Sequence, residues 1–93
     1  MPDVEIYTKG FCGFCRRAKA LLDGRGVAYE EIDVSWDPEA EAAMIRRAGG
    51  AYTVPQVFIH GRHIGGSDEL AALEAAGKLD AILGDASSTG DET

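Results

Sequence analysis

Both cysteines of this 93-residue chain lie in one tetrapeptide, Cys12-Gly13-Phe14-Cys15. Before it runs Val4-Glu5-Ile6-Tyr7-Thr8, whose alternation reads as a strand. After it runs Arg16-Arg17-Ala18-Lys19-Ala20-Leu21-Leu22, which reads as a helix. The pair therefore falls where a strand turns into a helix start. Unpaired backbone N–H groups and the helix dipole favour negative charge there. A thiolate is correspondingly favoured over a thiol. Lys9, Arg16 and Arg17 add positive charge on either side. Cys12, leading into the helix, is expected to be the exposed attacking sulfur. Cys15, one turn further in, is expected to be the sheltered, resolving one. A C-x-x-C beside a βαβ pattern reads as a dithiol redox motif.

Two plainer readings of the pair are weaker. A structural disulfide closing so small a loop removes little entropy from the unfolded chain. A zinc site would need His60 and His63, but the gap from Cys15 is too long and H-x-x-H is one residue short of the usual spacing. The histidines read instead as flanking a hairpin turn.

Length sets the scale at one domain, residues 1–84, followed by a disordered acidic tail over residues 85–93. The net charge of −7 argues against nucleic-acid binding, which needs a basic face. Charge is uneven, however. Lys9, Arg16, Arg17, Lys19, Arg25, Arg46 and Arg47 fall in the first half, whereas Asp80, Asp85, Asp91 and Glu92 fall near the end. A basic rim on an acidic protein suits a small anionic ligand. No stretch approaches the roughly 20 apolar residues of a membrane span. Met1-Pro2-Asp3 does not begin a secretory signal. The expected compartment is the reducing cytoplasm, where paired cysteines are more often catalytic than structural.

The expected elements follow in order. A strand over 3–8 leads into a helix over 13–24 with Ala18, Leu21 and Leu22 on its apolar stripe. A strand over 27–34 completes a right-handed parallel βαβ unit. Asp37 caps a second helix with Pro38 in its first turn and Ala43, Met44, Ile45 and Ala48 inward. Trp36 is expected to pack over that helix start. Val57-Phe58-Ile59 and His63-Ile64-Gly65 form an antiparallel hairpin around His60-Gly61-Arg62. Ser67 is the expected cap of a third helix over 68–76, and 78–83 of a last short one. Tyr7 and Phe58 read as core or groove wall. The order βαβαββα is an α/β architecture, a four-stranded mixed sheet with helices on both faces.

With Cys-Gly-Phe-Cys, Thr53-Val54-Pro55 and Gly65-Gly66-Ser67-Asp68 in that order, and Lys9 ahead of Cys12, residues 3–83 resemble the glutaredoxin family. The resemblance implies a thioredoxin fold, a cis peptide before Pro55 and glutathione as co-substrate. It implies a monomeric glutathione-dependent oxidoreductase acting on glutathionylated and disulfide-containing proteins, with Cys12 as nucleophile and Cys15 as resolving thiol. Val54 would pair through its backbone with the cysteinyl part of glutathione, beside Thr53 and Pro55. Gly66, Ser67 and Asp68 would offer backbone N–H groups to one ligand carboxylate. Asp68 would take the α-amino group, Lys9 would meet the other carboxylate, and Phe14 would line the groove.

The departures from the family pattern matter too. Gly13 and Phe14 stand where proline and tyrosine are commonest, and Ser67 where several relatives carry another cysteine. Gly49-Gly50-Ala51-Tyr52 lacks the basic residue that many relatives place before Thr-Val-Pro, leaving Arg46 or Arg47 as substitutes. Related glutaredoxins with glycine after the first cysteine hold a [2Fe–2S] cluster between two subunits, through one cysteine from each chain and two glutathione thiolates. Gly13 makes that the rival reading; Cys15 weighs against it. A reductase fed directly by a flavoenzyme is a third, disfavoured by the glutathione-site motifs.

Overall fold

The computed structural model describes residues 3–84, so the expected tail over 85–93 lies outside the described residues. Four strands, β1 (Val4–Thr8), β2 (Glu30–Asp33), β3 (Gln56–Ile59) and β4 (Arg62–Gly65), form one sheet in the order β2-β1-β3-β4. β1 runs parallel to β2 and antiparallel to β3, and β3 and β4 are antiparallel. The helices are α1 (Gly13–Gly24), α2 (Pro38–Arg47) and α3 (Ser67–Ala75), followed by a helical turn over 79–84.

Strand alternation divides the interior into two cores. Val4 and Ile6 of β1 and Val57 and Ile59 of β3 meet Ala18 and Leu22 of α1, Leu70 of α3 and Leu79. Tyr7 and Phe58, the intervening positions, point to the opposite face and pack with Val34, Met44 and Ala48 of the α2 layer. Both Tyr7 and Phe58 are thus core residues, their rings meeting edge to face at 5.7 Å. A mixed four-stranded sheet between these two helical layers is the thioredoxin fold.

Four local expectations are corrected. β2 begins at Glu30, not Val27, because the Val27 N–H is donated back to Leu22 O of α1 at 3.1 Å and cannot join a ladder. The cap of α3 is Gly66 rather than Ser67, whose residue is the first of the helix. The Glu69 carboxylate there accepts the Gly66 N–H at 2.8 Å, a bond the Ser67 hydroxyl does not make. The hairpin turn is His60-Gly61, both with positive φ (55° and 78°), so Arg62 already belongs to β4. Trp36 does not pack over α2: it is 95% exposed. Asp37 closes that helix start alone, its carboxylate accepting the Ala40 N–H at 3.0 Å, while Val34 and Met44 fill the space beneath.

Candidate active site

The cysteines sit at the expected junction. Cys12 is the N-cap of α1, with extended backbone, and its Sγ accepts the Cys15 N–H at 3.1 Å. A donor aimed at sulfur at a helix start favours negative charge on it. Both thiols are free. Cys12 is half-buried, while Cys15 is 1% exposed. Burial, and then its contact with Cys12, pushes the Cys15 thiol up to about 12.

Across from Cys12 runs the segment that enters β3. The Val54–Pro55 peptide is cis. The β1–β3 ladder ends at the Tyr7–Gln56 pair, which leaves Val54 outside it. The Val54 carbonyl lies 3.8 Å from Cys12 Sγ. Gln56 is buried and steadies the loop, donating from Nε2 to Thr53 O at 2.9 Å and contacting His63 Nε2 through Oε1 at 2.7 Å.

A groove of about 370 Å³ opens beside this segment, lined by Phe14, Thr53, Val54, Pro55, Gly66, Ser67, Asp68 and Glu69. Seven of these are sequence-predicted site residues, drawn from three separate stretches. Phe14 is 58% exposed and carries Arg17 over its ring at 5.6 Å. Gly66 allows close approach: a Cβ there would meet Pro55 O at 3.3 Å. Its N–H is already donated to the Glu69 carboxylate, and the N–H groups of Ser67, Asp68 and Glu69, in the first turn of α3, have no intrahelical partner.

Lys9 lies on the other side of the dithiol. With Gly10, Phe11, Cys12, Cys15 and Arg16 it lines a separate depression of about 280 Å³. Its ammonium pairs with Glu41 of α2 at 2.8 Å. Arg47 is not available as a substitute cation: it donates to Tyr7 Oη and to Glu5 Oε1, each at 2.9 Å, and stacks over Phe58 at 4.2 Å. Arg46 is exposed. Beneath Cys15, Glu31 accepts bonds from Thr8 Oγ1 at 2.7 Å and Lys19 Nζ at 3.0 Å, and these hold its carboxyl below the usual range.

Sequence reasoning missed Glu69, Glu41 and Glu31. Glu69 had a visible signal, a Glu three residues after a cap position. Glu41 and Glu31 had none, because their partners are distant in sequence. Among the described residues, no three or more His, Cys, Asp or Glu side chains are grouped to hold a metal ion. The cluster reading draws its ligands from two chains and two glutathione molecules.

A free cysteine pair at a helix start, facing the residue before a cis-proline in a thioredoxin fold, defines a thiol–disulfide oxidoreductase. The glutaredoxin family model matches residues 4–64. Glutaredoxin 3 of Escherichia coli is 49% identical over 83 residues, covering 89% of this chain and 99% of its own. A Pseudomonas aeruginosa glutaredoxin is 52% identical over 83 residues, covering 89% and 98%. A buckwheat glutaredoxin–glutathione complex superimposes with a TM-score of 0.83 at 34% identity, covering 90% of this chain and 78% of that one. This chain belongs to the glutaredoxin family and is a glutathione-dependent thiol–disulfide oxidoreductase. No helix among the described residues is long and apolar enough to cross a membrane.

Proposed function

We propose that Cys12 is the nucleophile, Cys15 the resolving thiol and the Phe14–Val54–Ser67 groove the glutathione site. The observation that carries this reading is Cys12 Sγ capping α1 while lying 3.8 Å from the carbonyl of Val54, a residue that lines that groove. Cys12 thiolate attacks the glutathionyl sulfur of a protein–glutathione mixed disulfide. A Cys12–glutathione disulfide forms, and the protein thiolate leaves and takes a proton. A second glutathione thiolate then attacks the glutathionyl sulfur, releasing oxidised glutathione and regenerating Cys12. With a protein disulfide, Cys12 forms the mixed disulfide and Cys15 attacks Cys12 Sγ to expel the second protein thiol.

The order of events follows from the environment of Cys15. Burial raises its thiol most, and its hydrogen bond to Cys12 and the Cys12 charge raise it further. The two Cys12 influences weaken once Cys12 is in a mixed disulfide while burial persists, so Cys15 gives up its proton more readily after the first exchange than before it. Exchange also depends on nucleophilicity and leaving group.

In the groove, the Val54 backbone would pair with the cysteinyl part of glutathione as a strand edge does. Thr53, Pro55 and Phe14 form its walls. Ser67 and Asp68 N–H groups would take the γ-glutamyl carboxylate. Gly66 would admit that carboxylate sterically, Asp68 would bind the α-amino group, and Lys9 the glycyl carboxylate. The protein would act as a monomer in the reducing cytoplasm, where both thiols stay available.

The test is turnover of a small glutathionylated substrate coupled to glutathione reductase, alongside reduction of a protein disulfide. Cys12→Ser is expected to abolish both activities. Cys15→Ser is expected to retain the first and lose the second. Activity in Cys12→Ser would overturn the assignment.

A further inference from the structure

Lys9 carries a charge partner that competes with its proposed ligand. Its ammonium lies 2.8 Å from Glu41 Oε2, with the side chains 39% and 31% exposed. Glu41 sits in the first turn of α2, where the helix start favours its negative charge. Its N–H is bonded to Asp37 O at 3.0 Å, so its backbone is held by the helix. Lys9 stands on the loop that enters the dithiol. The pair therefore spans from the α2 layer to the rim of Cys12.

We propose that Glu41 is a specificity-determining residue, one that occupies Lys9 and sets a penalty on the carboxylate at the glycyl end of the ligand. The inference rests on the reading of Lys9 as that carboxylate's partner. An incoming carboxylate must either displace Glu41 or bind as a second anion on one ammonium. Either way, the gain from Lys9 is reduced by a like charge already in place. A ligand whose glycyl end is neutral escapes the penalty. Wild-type protein consequently discriminates weakly between glutathione and its glycyl ester, although a lysine stands at the site.

The test uses single-exchange kinetics without a coupling enzyme. In a Cys15→Ser background, glutathionylation of Cys12 by oxidised glutathione is followed by intact mass. It is compared with the same reaction of the disulfide esterified at both glycyl carboxylates. Glu41→Gln is expected to raise the second-order rate with oxidised glutathione by about two- to fivefold, the scale of releasing a partly exposed ion pair. The rate with the ester should stay unchanged, which a structural effect of the substitution would not produce. Lys9→Gln is expected to slow oxidised glutathione by a larger factor than the ester, any loss common to both reporting the positive charge removed beside Cys12. An unchanged or lower rate in Glu41→Gln, with Lys9→Gln slowed, would overturn the role of Glu41 and leave Lys9 standing. No effect of Lys9→Gln on oxidised glutathione would overturn the reading of Lys9 and the inference with it.

Discussion

Cys15 is the residue in which burial, hydrogen bonding and chemistry meet. Its thiol is pushed up to about 12 from an ordinary 9.0, first by burial and then by its bond with Cys12. The folded protein therefore keeps this proton in a range where the unfolded chain has lost it. In that range the unfolded state binds fewer protons, so stability falls as pH rises from about 9 towards about 12. Below that window the group contributes no slope. Denaturant unfolding of reduced wild type at neutral pH and at about pH 10.5 should show a loss that Cys15→Ser lacks in part. Equal losses in the two proteins would show that the buried thiol is not linked to folding. The relative burial of the two cysteines was legible in sequence because the strand–helix junction orders them by depth. The partners of Lys9 and of Arg47 were not, because Glu41, Glu5 and Tyr7 reach them only through tertiary packing.

At the scale of elements, sequence signals worked where the chain's own neighbours decide the outcome. The bounds of α1 follow from its cap at Cys12 and from glycines at either end. Asp37 and Pro38 likewise start α2. They failed where an unexpected acceptor intervened, as when Leu22 O captured the Val27 N–H, or when Glu69 took the Gly66 N–H at the start of α3, whose cap is Gly66 and not Ser67. The passage from β4 into α3 is the tightest of these joints. Gly65 has φ +123°, a region that side chains rarely enter, and a Cβ there would lie 2.8 Å from Glu69 Cγ. Gly65→Ala is expected to cost about 1–3 kcal/mol in backbone strain, with the clash adding to it. It should also drive Glu69 off the Gly66 N–H. The checks are the urea midpoint, which should fall, and the rate of Cys12 glutathionylation, which should fall with it because the Ser67–Asp68 wall of the groove moves. A midpoint unchanged from wild type would mean that Glu69 swings clear and the joint is not strained.

The whole molecule divides its work between the two faces of one sheet. The alternation of β1 and β3 made that division legible, since Val4 and Ile6 had to part company with Tyr7. Which face would carry the site was not legible, because it depends on what packs beneath Val54. In the fold, Val54 rests against the core of Tyr7, Val34, Met44, Ala48 and Phe58, together with Ile32 and Ile45. The other core, closed by Leu70 and Leu79, lies under α1 and α3. Met44 and Leu79 are both fully buried, so truncating either to alanine should cost about 2–5 kcal/mol in stability. Their effects on exchange should differ. A cavity at Met44 removes support from the segment that presents Val54 O to Cys12, so Met44→Ala is expected to slow glutathionylation of Cys12 several-fold, roughly as sub-ångström misplacement does in other sites. Leu79→Ala opens a cavity in the other core, away from Val54, and should slow that rate less than Met44→Ala does in the fraction that is folded. Measured well below both midpoints, at a temperature where each variant is folded, the two rates separate support of the site from general stability. If both variants slow equally, the sheet transmits packing defects across its full thickness, and the two cores behave as one.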